Sequence, residues 1–255
     1  MTALLRTEGI TKAFGGVQAL NGAAIEVPEG TVAGLIGPNG SGKTTLFNVI
    51  TGYERADAGQ VYFGDRVITN AAPDKVFAAG IGRTFQLTRI FARLTVLENM
   101  LVASQIRDRP RNLLARLGKG AWTHQRRHAM ELLEFVGIER HADALAGSLS
   151  YGQRKLLELA YVLVADPRVI LLDEPAGGVN PTLINHIADR IRELNSRGTT
   201  FLIVEHNMEF VMGLCAAITV LESGTVAASG PPHIIRTDKR VLDAYLGADL
   251  EEDPR

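Results

Sequence analysis

Gly37-Pro38-Asn39-Gly40-Ser41-Gly42-Lys43-Thr44, with Thr45 behind it, gathers three glycines, a lysine and hydroxyls into one short run. Glycines let successive backbone N–H groups turn inward around phosphate oxygens, at the positive end of the helix that follows. Lys43 suits the terminal phosphates and Thr44 suits Mg²⁺. A glycine-rich turn that merely caps a helix is the plainer alternative. The apolar strand ahead of the run and the helical spacing after it favour a phosphate-binding loop, with terminal phosphates and Mg²⁺ as its ligands. A second group closes the apolar stretch Arg168-Val169-Ile170-Leu171-Leu172-Asp173-Glu174. Two adjacent carboxylates there stand at the C-terminal edge of a strand, where ligands bind in open α/β sheets. Asp173 suits an Mg²⁺ contact and Glu174 suits activation of an attacking water.

The elements that must hold these groups alternate. Short strands with turns open the chain: Leu4 to Ile10, a Gly15-Gly16 turn, and Ala24 to Val27. Thr31 to Ile36 reads as a buried strand, Thr44 to Thr51 as a helix, and Gln60 to Ile68 as a hairpin turning at Gly64-Asp65. Residues 88 to 165 read as mostly helical, with no convincing strand. From Val169 the order returns to strand, helix, strand: Val169 to Leu172, Leu183 to Ser196, Thr200 to Val204. Buried strands alternating with helices predict an α/β fold with a helical excursion. Leu149-Ser150-Tyr151-Gly152-Gln153 leads into one helix of that excursion, whose Leu156, Leu159, Ala160 and Leu163 keep helical spacing.

Bulk properties exclude several classes. The 255 residues are 46% apolar and 22% charged, the balance of a soluble globular protein. A net charge of −1 gives no global basic field, so nucleic acid is not an expected partner. The one cysteine, Cys215, forms no intramolecular disulfide, suits a reducing cytoplasm and reads as a small buried apolar residue. The N-terminus lacks the apolar run of a signal peptide, and no apolar stretch nears the ~20 residues that span a bilayer. Any membrane role would therefore be that of a peripheral subunit.

Taken in order, the phosphate loop from Gly37 to Thr45, the glutamine of Thr84-Phe85-Gln86, the signature at Leu149 to Gln153, the acidic strand end and His206 in Val204-Glu205-His206 resemble the ATP-binding-cassette ATPases. The resemblance covers nearly the whole chain. It implies a P-loop NTPase (RecA-like) core with an N-terminal antiparallel β-subdomain and an inserted α-helical subdomain. Residues 1–87 and 166–248 would form the core, 88–165 the helical part and 249–255 a polar tail. It further implies that Phe14 stacks on adenine, that Gln86 touches Mg²⁺ and the attacking water, and that His206 hydrogen-bonds the γ-phosphate. Ser150, Tyr151, Gly152 and Gln153 would address the γ-phosphate of an opposite subunit, so that two chains close around two ATP molecules. Two positions depart from the common pattern: Tyr151 replaces a glycine, and Asn180 stands where many members have aspartate.

A narrower resemblance is to the larger ATPase subunit of branched-chain amino acid importers. It rests on Phe14-Gly15-Gly16, Gly82-Arg83-Thr84-Phe85-Gln86, Leu94 to Asn99, Glu205-His206-Asn207-Met208 and Ala244-Tyr245-Leu246-Gly247. This branch implies two membrane permease subunits, a second ABC ATPase subunit (a homodimer being the alternative), and an external solute-binding protein. It places the chain on the cytoplasmic face of the cell membrane. The solute stays open among branched-chain amino acids, short amides or urea, and aromatic acids. Arg107 to His128 carries Arg107, Arg109, Arg111, Arg116, Lys119, Arg126 and Arg127 against one acid, Asp108. That is a solvated basic face, or a contact with anionic lipid or the permease. Rival functions are the ATPase of a lipopolysaccharide exporter, a soluble cassette ATPase of DNA repair or the ribosome, and a regulator that does not hydrolyse.

Overall fold

The computed structural model describes residues 3–84, 90–107, 119–239 and 241. In chain order it begins with β1 (Ala3–Phe14), β2 (Val17–Ala23), β3 (Glu26–Pro28), β4 (Val32–Ile36), α1 (Lys43–Ile50), β5 (Ala58–Phe63) and β6 (Arg66–Val67). There follow α2 (Pro73–Ala78), β7 (Ile81–Arg83), α3 (Val96–Arg107), α4 (Lys119–Val136) and α5 (Tyr151–Leu163). The last stretch holds β8 (Val169–Asp173), α6 (Pro181–Ser196), β9 (Thr200–Val204), α7 (Met208–Leu214), β10 (Ala217–Glu222), β11 (Thr225–Gly230) and α8 (Pro232–Ile235).

Two sheets result. An antiparallel sheet runs β2-β1-β5-β6, with β3 also paired to β1. A six-stranded sheet runs β11-β10-β4-β9-β8-β7, parallel throughout except for the antiparallel pair β10–β11. Side chains alternate across the parallel strands, as a pleated backbone requires. Val32, Ile36, Ile170, Leu172, Phe201 and Ile203 enter the core shared with α3 to α6, whereas Leu35, Val169, Leu171, Leu202 and Val204 enter the one shared with α1 and the antiparallel sheet. Burial on both faces explains why these strands read as unbroken apolar runs.

The α/β reading and the antiparallel sheet near the N-terminus hold. Four strands were not foreseen: β2, β7, β10 and β11. In β2, Gln18, Asn21 and Gly22 break the apolar pattern. β7 is three residues long and contains Gly82, so it leaves no periodic trace. β10 and β11 form a hairpin whose turn residues, Ser223 and Gly224, have φ +46° and +77°. Two left-handed residues make the turn type that suits the twist of paired strands. Elsewhere the shifts are small: β1 continues from the predicted Ile10 to Phe14, and α6 starts at Pro181. Asn180 caps α6, its Oδ1 accepting from the Leu183 amide at 2.9 Å. That local bond needs an acceptor, not a charge, so asparagine serves as well as aspartate there.

Candidate functional site

The strand β4 delivers the chain to Gly37 at the C-terminal edge of the parallel sheet. Gly37 has φ +150°, and a Cβ there would sit 2.0 Å from the Leu221 carbonyl oxygen. Gly42 has φ +103°, and its Cβ would meet the Ala19 carbonyl oxygen at 2.5 Å. Both positions therefore require glycine. Ser41, buried, lies between them; its carbonyl accepts from the Gly224 amide at 3.0 Å, and its own amide donates to Pro38 at 3.2 Å. The loop is thus moulded against the β10–β11 turn. Asn39 and Gly40 remain exposed at its crest.

Gly42 ends the loop as the N-cap of α1 with no side-chain cap. First-turn amides left without a protein partner are anion donors. The Lys43 ammonium folds over the loop, donating to the Gly37 and Pro38 carbonyls at 2.8 Å each. Burial pulls its pKa below the ordinary lysine value, and the charges of Glu174 and Asp173 oppose that shift. The lysine therefore senses both carboxylates from β8. Thr44 is exposed and Thr45 half-buried at the start of the same helix.

Asp173 ends β8 with its side chain only 3% exposed. Arg83 Nη2 reaches its Oδ2 at 3.0 Å, while Nη1 of the same guanidinium donates to Asn48 at 2.7 Å and Thr51 at 3.1 Å. Arg83 thus joins the acidic strand end to the far end of α1. Of the oxygen donors expected for Mg²⁺, Thr44 and Asp173 lie among the described residues, the first exposed and the second paired with Arg83. Among the described residues no three His, Cys, Asp or Glu groups gather as a metal site. Mg²⁺ binds through one or two protein oxygens and completes its shell with substrate phosphates and water, a demand that a hydroxyl and a carboxylate can meet.

Glu174 follows with φ +49°, a left-handed backbone that a non-glycine residue adopts at a cost. Its amide donates to Val204 at 2.9 Å, and its carbonyl accepts from Lys155 Nζ at 3.0 Å and from the Gly177 amide at 3.1 Å. His206, beyond the end of the adjacent β9, presents Nδ1 at 3.9 Å from Glu174 Oε1. Next to His206 in the chain is Glu205, whose residue is 1% exposed. Its Oε1 accepts from the Ala176 amide at 2.6 Å, and its Oε2 from the His206 and Asn207 amides at 3.1 and 3.2 Å. One buried carboxylate therefore ties the loop after Glu174 to the loop bearing His206.

The remaining candidates sit apart in the chain. Phe14 is exposed at the tip of β1, with the Lys12 ammonium 5.1 Å from its ring centre and the neighbouring Ala13 amide held by Asp57 at 2.7 Å. Ser150 caps α5: its Oγ accepts from the Gln153 amide at 3.3 Å, while Gln153 Oε1 accepts from the Ser150 amide at 2.9 Å. Gly152 lies under Leu183, whose Cδ2 would be 2.2 Å from an added Cβ. The bulk of Tyr151 is accommodated against Gly178. Gln86 lies outside the described residues, as do 108–118 of the basic segment and Tyr245-Leu246-Gly247.

The structure brings Lys43, Asp173, Glu174 and His206 to one edge of the parallel sheet, at the ends of β4, β8 and β9. It attaches Tyr151 and Gly152 to the β8–α6 connection. Arg83, Lys155 and Glu205 were not predicted. Lys155 left a signal, since a lysine four residues before Leu159 interrupts the apolar stripe of α5 and requires a partner.

The protein family described as ABC transporter matches residues 20–177. A relative from Archaeoglobus fulgidus, named a probable branched-chain amino acid transport ATP-binding protein LivG, is 38% identical over 98% of this chain and 97% of its own length. One from Pseudomonas aeruginosa, named the high-affinity branched-chain amino acid transport ATP-binding protein BraF, is 40% identical over 96% of this chain and 98% of its own. A crystal structure of a nucleotide-free ATP-binding cassette from an ABC transporter superposes with TM-score 0.85 at 38% identity, covering 96% of this chain and 99% of that one. The dimeric post-hydrolysis state of another cassette, bound to ADP and Pi, gives 0.78 at 25% identity over 89% of this chain and 98% of that one.

Proposed function

Since the chain belongs to the ABC transporter family and is an ATP hydrolase, we propose that it powers an importer of branched-chain amino acids or closely related small solutes. The transport assignment is supported by the near full-length similarity to relatives of that name. The proposed chemistry is carried by one observation: Glu174 and His206 stand 3.9 Å apart at adjacent strand ends, beside a loop whose lysine feels the charge of Glu174.

In this reading the amides of residues 37–45 and the Lys43 ammonium hold the β- and γ-phosphates, and Phe14 offers a ring face to adenine. Thr44, Asp173 and Gln86 would hold Mg²⁺, which would screen charge on the phosphates. Glu174 takes a proton from the attacking water as the oxygen closes on the γ-phosphorus, and ADP leaves with the bridging oxygen. His206 donates a hydrogen bond to the γ-phosphate. Ser150 to Gln153 complete the site of an opposite ATPase subunit, so two nucleotides are enclosed by two chains.

Residues 88–165 are proposed as the helical subdomain, inserted into a core formed by 1–87 and 166–248. A groove of about 1140 Å³ bordering it is lined by Tyr53, Val76, Phe77, Ile90, Phe91 and Tyr161 among others. We assign that groove to a cytoplasmic helix of the permease. Two permease subunits, a second ATPase and an external solute-binding protein complete the complex. No helix among the described residues is long and apolar enough to cross a membrane, in keeping with a peripheral place on the inner face of the cell membrane.

ATP hydrolysis and ATP-dependent dimerisation of the purified chain, alone and with its second ATPase, test this reading beside Glu174→Gln. Loss of a general base lowers turnover by about 10²–10⁴-fold, with an ATP-bound dimer accumulating. Wild-type turnover in the Gln variant would remove Glu174 from the chemistry.

A further inference from the structure

The sequence between Glu174 and Asn180 leaves the acidic strand end, turns, and enters α6. Contacts from the first turns of the signature helix reach it and the start of α6, beside the Glu174 amide on Val204. Lys155 Nζ donates to the Glu174 carbonyl at 3.0 Å. Tyr151, one turn earlier, lies against Gly178, whose added Cβ would come within 3.1 Å of its ring. Gly152 packs under Leu183. Glu205 also holds the Ala176 amide. Lys155 is itself 8% exposed, with its ammonium 5.7 Å from the Tyr151 ring centre. An ammonium so enclosed needs the acceptor it has.

The acceptor belongs to a residue whose backbone is strained. Glu174 at φ +49° keeps a left-handed conformation that surrounding contacts must enforce. That conformation sets the direction of its carboxylate toward His206. Its amide is held by Val204, and its carbonyl by the Gly177 amide and the Lys155 cation.

We propose that Lys155 is a positioning residue for Glu174, and that through it the signature helix governs the catalytic carboxylate of its own chain. The helix that begins at Ser150 faces one nucleotide, held by the opposite subunit. The glutamate that Lys155 grips serves the other. Seating of the signature on its phosphate therefore bears on the backbone of Glu174 at the second site through Lys155. This rests on the roles proposed above for Glu174 and for the signature.

The test compares wild type, Lys155→Met, Lys155→Arg and Glu174→Gln in ATP hydrolysis, nucleotide binding and thermal unfolding, in the complete ATPase dimer. Lys155→Met keeps the length of the side chain and deletes its donors. Its kcat is expected to fall roughly ten- to a hundredfold, the worth of one charge-assisted hydrogen bond, with KM for ATP unchanged. Lys155→Arg, which can still donate to the carbonyl, restores most of that loss. Wild-type kcat in Lys155→Met beside an inactive Glu174→Gln would overturn the proposal and leave the general base in place. Parallel loss of kcat, ATP affinity and thermal stability that arginine does not restore would also overturn it, making Lys155 a packing residue. An active Glu174→Gln would instead remove the reading on which the proposal stands.

Discussion

Replacing Glu205 by glutamine changes one oxygen of a side chain into an NH₂ group and little else. The carboxylate accepts from the Ala176 amide through Oε1 and from the His206 and Asn207 amides through Oε2. An amide oxygen can keep one side of this arrangement, but its NH₂ must then face N–H donors on the other. Hydrogen bonds to a charged acceptor contribute about 1.5–3 kcal/mol each, and an unsatisfied buried donor costs about 1–3 kcal/mol. His206 is largely exposed, so water recovers part of what its amide loses. A net loss of about 2–4 kcal/mol is the result. Urea unfolding should show it as a lowered midpoint with an unchanged slope. Because the same carboxylate ties the Glu174 loop to the His206 loop, kcat should fall about tenfold or more, since 1.4 kcal/mol of misplacement is a factor of ten. A Glu205→Gln protein within about 0.5 kcal/mol of wild type, with full turnover, would refute the view that Glu205 organises the site.

Arg83→Met should destabilise the protein by about 3–5 kcal/mol, the usual cost of leaving one partner of a buried ion pair alone, because Arg83 and Asp173 are 7% and 3% exposed. Thermal unfolding measures it, and the double change Arg83→Met with Asp173→Asn should recover part of the loss. Burial among apolar side chains pushes the Cys215 thiol up to about 12. At pH 8 it should resist alkylation in the folded protein and react only after denaturation. Above the ordinary thiol range the unfolded chain sheds a proton that the folded one keeps, so stability should decline as pH rises toward 12.

Much of this site was legible because its residues obey local rules. Gly37 and Gly42 need φ values and close approaches that only glycine allows, and such positions are punctuated in any sequence. The strands β4, β8 and β9 announce themselves by apolar runs, since both of their faces are covered. The contributions that escaped are long-range. Arg83 meets Asp173 across 90 positions and Glu205 meets Ala176 across 29, pairings that no period of 2 or 3.6 encodes. The β10–β11 hairpin is a different case. Its Ser223-Gly224 turn between apolar runs is a readable signal, and it was passed over beside the stronger motifs upstream.

That hairpin has a consequence for how the protein comes into being. Gly37 passes the Leu221 carbonyl at a distance that leaves no room for a side chain, and the Ser41 carbonyl is held by the Gly224 amide. The phosphate loop is synthesised well before the Leu221–Gly224 turn that moulds it. A nascent chain carries residues 37–45 without the surface that shapes them until Leu221 and Gly224 have been made. Closing so long a loop is also among the slower events of folding, since its entropy must be spent before the contacts return it. Competence to hold nucleotide should therefore appear late and all at once, when β10 docks beside β4. A chain interrupted before Ala217 would carry every residue of the phosphate loop and still lack the surface that forms it.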